Sequence, residues 1–325
     1  MKILIIGCGS IGGRHARVVH ATGRHTLALC DANRAFADAL AAELGIEEVY
    51  SDFEEAIAES KADAAIVCTP NHLHAKPAIA ALDAGMHVLC EKPIASSSED
   101  AKSMVDAAKR SKGRLMIGYT MRANRCLIEI KELLRSGKLG KITSARVILS
   151  APETLVLAKS PYRKKYETGG GVIFDYSHEL DYCHYLFGSA AKCAAMVNLN
   201  FPDSDTCDDD AEILVKYQNG ITMTYHMDYI QEKGPTRGRF LSIVCEKGFI
   251  DTSFKNLTVY YNDGETASYD FEDSRDYWFD SQLKTFEALC RGEEKDYCSG
   301  QDAYEVILLA EALYQSAREE KFITL

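Results

Sequence analysis

Short apolar runs and amphipathic stretches alternate along the first third of the chain. Lys2–Ile6, His25–Asp31, Glu47–Tyr50, Ala64–Cys68, Met86–Cys90 and Arg114–Gly118 read as strands. Between them, the segment from Gly12 to Thr22 and the segments Phe36–Leu44, Phe53–Glu59, Leu73–Ala84 and Glu99–Arg110 carry helical spacing. Strands of this kind joined by helices predict a parallel, doubly wound sheet. After Gly118 the alternation stops. Cys126–Leu134 reads as a helix and Ile142–Leu149 as a strand. Further strand-like runs are then separated by turn signals at Asn219-Gly220, Lys247-Gly248 and Asn262-Asp263-Gly264, the pattern of an antiparallel sheet. Near the end, Ala303, Val306, Ile307, Ala310, Leu313, Tyr314 and Ala317 form one apolar helical stripe, which is core-forming. The chain therefore reads as an α/β domain over residues 1–119 and an α+β domain over residues 120–325.

The first strand runs into Gly7-Cys8-Gly9-Ser10-Ile11-Gly12, which opens a helix, and an acid, Asp31, follows 19 positions after Gly12. A lone GxGxxG is weak evidence, but this context is that of a Rossmann dinucleotide fingerprint. Gly7 permits the tight turn, Gly9 lets a pyrophosphate approach the backbone, and Gly12 lets helix and strand pack. The helix N-terminus then receives the phosphates. Asp31 at the end of the second strand is suited to the adenosine ribose hydroxyls and repels a 2′-phosphate, so NAD is preferred over NADP. Arg34, three residues on, reads as a solvated helix residue.

Ligands of such sheets bind at the carboxyl ends of the strands. Two polar turns lie there. Thr69-Pro70-Asn71 suits the nicotinamide ribose, and His74 is placed with it on the cofactor side. His72 and His74 could otherwise be helix-start residues or metal ligands, but an i, i+2 pair at a helix start diverges and has no third ligand in sequence. The second turn, Glu91-Lys92-Pro93, sets an acid and a base side by side before a proline. On its own it reads first as a solvated turn before a helix.

Composition narrows the partners. A formal charge of -11 on 325 residues opposes nucleic-acid and anionic-membrane binding. No apolar run approaches the roughly 20 residues of a membrane span, and no secretory signal pattern is present, so a cytoplasmic location is expected. The eleven cysteines are scattered without a C-x-x-C pair, which reads as buried free thiols. The acidic run Pro202 to Asp210 lacks the glycine and spaced glutamate of a calcium loop and reads as a solvated turn.

Gly7–Gly12, "CTPNHLHAKPAI", "CEKPIA", "GGGVIFDYSHELDYCHYLFG" (Gly169–Gly188) and "CSGQDAYEVILLAEALYQSAR" together resemble the oxidoreductase family named for glucose–fructose oxidoreductase, inositol dehydrogenase and the rhizopine-related proteins. The resemblance implies a Rossmann domain followed by a domain with a large open sheet, helices on one face and a second subunit on the other. A homodimer or homotetramer is thus expected. It also implies that Lys92 is catalytic, that Pro93 follows a cis bond, and that Glu91 is on the cofactor side.

Within Gly169–Gly188, Asp175, His178 and Asp181 are spaced three apart, so on one helix they would share a face. A carboxylate partner fixes the tautomer of an imidazole and raises its basicity. His178 matches the histidine of the family. Asp175 precedes it by three residues where many members have four, so the role of Asp175 rests on less. Tyr119 and Arg122 are positioned to line the substrate cleft. Arg163-Lys164-Lys165 reads either as a substrate-anion contact, with Arg163 foremost, or as a solvated loop. His184 falls off the shared face and reads as structural.

The resemblance implies hydride transfer between NAD and a secondary alcohol of a sugar, sugar derivative or cyclitol. Lys92, His178 and Asp175 would be catalytic, and Lys92, Tyr119, Arg122, Arg163 and His178 would contact substrate. Two alternatives stay open: transient oxidation by tightly held NAD in a redox-neutral elimination, isomerisation or glycoside hydrolysis, and a non-catalytic nucleotide-sensing regulator.

Overall fold

The computed structural model describes residues 1–151, 165–200, 207–230, 238–293 and 296–325, with the side chain of Glu167 also outside the description. Its contacts divide into two units, the first Met1–Thr120 with Arg275–Tyr304, the second Met121–Ser274 with Glu305–Leu325.

In the first unit, β1 (Lys2–Ile6), α1 (Ser10–Ala21), β2 (Thr26–Cys30), α2 (Arg34–Leu44), β3 (Val49–Tyr50), α3 (Phe53–Glu59), β4 (Ala64–Val67), α4 (Ala75–Asp83), β5 (His87–Cys90), α5 (Ser98–Arg110) and β6 (Leu115–Ile117) follow one another. The strands form a sheet in the order β3-β2-β1-β4-β5-β6, all pairs parallel. The order reverses between β1 and β4, and ligands of such sheets bind at that switch. Continuous apolar strands follow from burial on both faces: Ile3, Leu4, Ile5, Ala64, Ala65, Ile66 and Val67 are all fully buried.

Helix starts are locally encoded. Asp52 accepts from the Glu54 and Glu55 N–H groups at the start of α3, and Ser97 from Asp100 at the start of α5, satisfying donors that a helix leaves open. Helices α1, α2 and α4 have no side-chain cap and no acid in the first turn; at α1 the N-cap is Gly9, in the glycine turn, so its end keeps both its N–H groups and its positive field for an anion.

The boundary drawn from sequence is incomplete. The helix Arg275–Cys290 belongs to the first unit, where its Leu283, Phe286 and Leu289 join the core of Ile3, Ile5, Val19 and Leu29.

The second unit carries β7 (Ile142–Ser150), β8 (Ala190–Asn198), β9 (Asp210–Tyr217), β10 (Thr222–Asp228), β11 (Gly238–Cys245), β12 (Gly248–Thr252), β13 (Asn256–Tyr261), β14 (Thr266–Asp270) and β15 (Ile323–Thr324). They make a nine-stranded sheet in the order β14-β13-β12-β11-β7-β10-β9-β8-β15. Pairing is antiparallel except between β10 and β7, which run parallel; the period-2 pattern is the same for both directions and does not distinguish them. On one face, Ile243, Ile250 and Val259 stand in register and fully buried. On the opposite face, Val244, Phe249 and Tyr260 stand in register, with Val244 42% and Tyr260 47% exposed.

Candidate functional site

Each unit holds its own set of candidate residues. In the first, the glycine turn is sterically fixed. Gly7 has φ 93°, and a Cβ there would lie 2.7 Å from the Cys68 carbonyl. A Cβ on Gly12 would lie 1.8 Å from the Gly7 oxygen. At Gly9 an added Cβ meets nothing within 4 Å, so that side of the turn is open to a ligand. Ser10 and Ile11 begin α1 directly behind it.

Asp31 is tied to this turn. Its Oδ2 accepts from the Cys8 N–H at 2.7 Å and its Oδ1 from the Asn33 N–H at 2.8 Å. Arg34 pairs with Asp38 on the exposed side of α2 at 2.7 Å, as a solvated helix residue does. Burial, with the Asp31 charge adding to it, pushes the Cys8 and Cys30 thiols to about 12, so these strand-end cysteines are inert at neutral pH. Among the described residues, no group of three His, Cys, Asp or Glu side chains is arranged to hold a metal ion.

Pro70 leads from β4 into a single turn, Asn71–Leu73. Thr69 Oγ1 is buried and has no hydrogen-bond partner among the described residues; a buried hydroxyl of that kind calls for a ligand or water. His74 corrects the sequence expectation. It is 1% exposed, with Nδ1 2.9 Å from the Pro93 carbonyl and Nε2 2.8 Å from the Thr69 carbonyl. Its ring therefore joins two turns and is not presented to a cofactor. Burial pulls the His74 pKa below the ordinary value, and the two carbonyls and the Glu91 charge only partly oppose it.

The Lys92–Pro93 bond is cis. Glu91, just before it, is held on both oxygens: Oε1 lies 2.7 Å from His15 Nε2, and Oε2 accepts from the Lys92 N–H at 3.2 Å. Burial raises the Glu91 carboxyl, but the His15 contact and the Lys92 charge outweigh it and bring the pKa below the usual value. His15 was missed in the sequence. The available signal was a polar residue on the stripe of α1 that also carries Gly12, Ala16 and Val19. Tyr119, after β6, is 2% exposed.

In the second unit, Gly169 and Gly171 have φ 83° and 97°. A Cβ on Gly171 would come within 2.3 Å of Asp208 Oδ1 and of the Tyr314 hydroxyl. Asp208 accepts from the Val172 N–H and the Tyr314 O–H, each at 2.9 Å. Burial raises its pKa in spite of those bonds. Asp208 and Asp209 are 3% and 1% exposed, which corrects the reading of a solvated turn at that end of the acidic run; residues 202–206 of the run lie outside the described residues.

The glycines lead into two helices, Val172–Asp175 and Ser177–Phe187, broken at Tyr176 (φ -91°, ψ 27°). One continuous helical face through Asp175, His178 and Asp181 is therefore not formed. Asp175 is buried and accepts from the Tyr229 hydroxyl at 3.0 Å. Asp181 is fully buried and takes a bidentate contact from Arg122, Nη2 to Oδ1 at 2.7 Å and Nε to Oδ2 at 3.0 Å. Arg122, expected at the substrate, thus anchors this helix. Glu179 is fully buried against Arg239. From Gly171 to Cys183 every residue is buried except His178. Arg163 lies outside the described residues.

Residues 1–119 match the model of the oxidoreductase family with an NAD-binding Rossmann fold, and residues 127–251 match the GFO/IDH/MocA C-terminal domain. The chain belongs to this oxidoreductase family. An uncharacterized oxidoreductase of Streptococcus pneumoniae is 33% identical over 201 residues, 62% of this chain and 54% of that protein. The myo-inositol 2-dehydrogenase of Thermotoga maritima is 26% identical over 346 aligned positions, covering 100% of this chain and 98% of the relative. An oxidoreductase from Agrobacterium radiobacter, solved with NAD+, L-tartaric acid and magnesium, has a TM-score of 0.90 at 23% identity, covering 100% and 98% of the two chains. At that identity the likeness is one of fold. No helix among the described residues is long and apolar enough to cross a membrane.

Proposed function

We propose that this chain is an NAD-dependent dehydrogenase of a secondary alcohol on a sugar, sugar derivative or cyclitol. The observation that carries the reading is His178, the one accessible side chain in a stretch otherwise buried from Gly171 to Cys183. A rigid frame that presents a single imidazole is what general-base chemistry requires. The residues of the first unit fit a dinucleotide: an uncapped α1, an open Gly9, a fixed Asp31 and a buried unsatisfied Thr69 hydroxyl. NAD, when bound, supplies the hydride acceptor.

In this reading His178 takes the hydroxyl proton, Asp175 orients the imidazole, and the Lys92 ammonium stabilises the developing alkoxide. Preorganised charge of that kind is commonly the largest catalytic contribution. Gly7, Gly9, Ser10, Ile11 and Gly12 hold the pyrophosphate, Asp31 the adenosine ribose, and Thr69, Pro70 and Asn71 the nicotinamide ribose. The myo-inositol dehydrogenase among the full-length relatives places cyclitols and sugars first in a substrate screen.

The test is absorbance change on adding NAD with sugars, sugar acids, nucleotide sugars and cyclitols. Lys92→Ala and His178→Ala should each lower kcat by about 10²–10⁴-fold with little change in NAD affinity. A His178→Ala enzyme that turns over at near wild-type rate would end the assignment. We also propose that the sheet face bearing Val244, Phe249 and Tyr260 meets a second copy of the chain, because an apolar row on a free face is an aggregation liability. Light scattering should give a dimer or tetramer mass, and Tyr260→Lys should reduce it. A monomer at micromolar concentrations would reject this interface.

A further inference from the structure

We propose that His74 is a positioning residue set between the cofactor-side turn Thr69–Asn71 and the lysine turn Lys92–Pro93, its single N–H given to one turn or the other by tautomer so that each turn is held against the same ring. The proposal rests on the reading of Thr69 and Lys92 given above. Strands β4 and β5 are parallel neighbours. Among the described backbone hydrogen bonds, their ladder ends where the Glu91 N–H meets the Val67 carbonyl at 2.9 Å. Both turns begin just beyond that point. His74, 1% exposed, continues the connection with one ring nitrogen on each turn, 2.8 Å from the Thr69 carbonyl and 2.9 Å from the Pro93 carbonyl.

The chemistry of the ring makes the link divisible. A carbonyl only accepts, so each bond needs a protonated ring nitrogen, and a neutral imidazole carries one N–H. An asparagine side chain places its amide nitrogen near the position of Nδ1, and a glutamine places its own near Nε2. His74→Asn therefore retains the Pro93 link and loses the Thr69 link. His74→Gln does the reverse. The neutral ring bonds one turn at a time, whereas each amide is committed to a single turn, and a merely structural histidine would not separate the two effects.

The experiment compares His74→Asn, His74→Gln and His74→Leu with the wild type. Titration calorimetry gives NAD affinity, and steady-state kinetics give kcat and KM on the alcohol identified by the screen. His74→Asn should keep kcat within twofold and bind NAD about tenfold more weakly, the scale of one hydrogen bond. His74→Gln should keep NAD affinity within twofold and lose about tenfold in kcat. His74→Leu should lose both. Equal losses of both quantities in the two amide variants, or losses in neither, would overturn the proposal.

Two further measurements keep the test decisive. If the variants do not fold, NMR of the wild-type histidine ring signals is used: NAD binding should shift those of His74, and unchanged signals at saturation overturn the link. Lys92→Ala separates this inference from the functional reading. If that variant keeps wild-type kcat, the role of Lys92 is wrong. His74 is then judged on the NAD arm alone, where weaker binding by His74→Asn than by His74→Gln sustains the link and equal binding ends it.

Discussion

His15 Nε2 lies 2.7 Å from Glu91 Oε1, so helix α1 is bonded to the residue that precedes Lys92. The ring also meets Phe279 edge-on at 4.8 Å, and Arg14, the next residue back, pairs with Asp276. The helix Arg275–Cys290 thus braces the same corner of the first unit. His15→Leu leaves the largely buried Glu91 carboxylate with one hydrogen bond fewer. It should lower stability by about 1.5–3 kcal/mol in urea titrations, while His15→Gln, which keeps a donor, should cost less than half of that. Equal stabilities for the two variants would show that packing on Phe279 matters and the carboxylate contact does not.

His74 gives the stability a defined pH dependence. Its folded pKa is depressed by burial below the value of 6.5, so between those two values the unfolded chain binds more protons than the folded one. Stability from this group is full above about pH 6.5 and falls as the pH drops toward the folded pKa. The margin of wild type over His74→Gln in urea should therefore widen as the pH rises from 5 to 6.5 and stay flat from 7 to 8. A margin that narrows over the lower interval would place the proton on the folded ring instead.

Gly171 is a substitution point with a large expected cost. Its φ of 97° disfavours any side chain. A methyl there would also collide with the Asp208–Tyr314 hydrogen bond. Gly171→Ala should destabilise the protein by about 2–4 kcal/mol, from backbone strain and overpacking together. Tyr314→Phe removes one bond and should cost about 1 kcal/mol. Differential scanning calorimetry distinguishes the two, and equal effects would refute the steric account.

Asp31 should set cofactor preference. It is fixed by the Cys8 and Asn33 N–H groups, so its negative charge has a definite place beside the glycine turn. NAD should bind more tightly than NADP, and Asp31→Ala should narrow the ratio by about tenfold or more. Calorimetry with both cofactors is the check. Equal affinities in the wild type would mean that Arg34, despite its pairing with Asp38, governs the choice.

The sequence was most readable where burial is two-sided. Runs such as Ala64–Val67 are apolar throughout because helices cover both faces of the parallel sheet, and the glycine turn is legible because sterics at Gly7 and Gly12 admit no other residue. The GGG segment was legible as a special turn, but not the break at Tyr176, which changes two dihedrals without disturbing the residue pattern. The partners of Asp181 and Glu179 are 59 and 60 positions away, and no local periodicity encodes such pairs. The apolar spacing of Leu283, Phe286 and Leu289 announces a buried helix face but not which core receives it.

That last feature has a consequence for synthesis. The core of the first unit is completed by Leu283, Phe286 and Leu289, while its six strands and the helices α1 to α5 lie before residue 121. At ribosomal rates of roughly 5–20 residues per second, the closing helix emerges on the order of 10–30 s after the sixth strand. Through that interval Ile3, Ile5, Val19 and Leu29 lack part of their cover. A nascent chain halted before residue 275 should accordingly be open to protease and to chaperone capture in its N-terminal unit, and should become resistant once the helix has left the exit tunnel. The dinucleotide-binding unit is thus first in sequence and among the last to be finished in time.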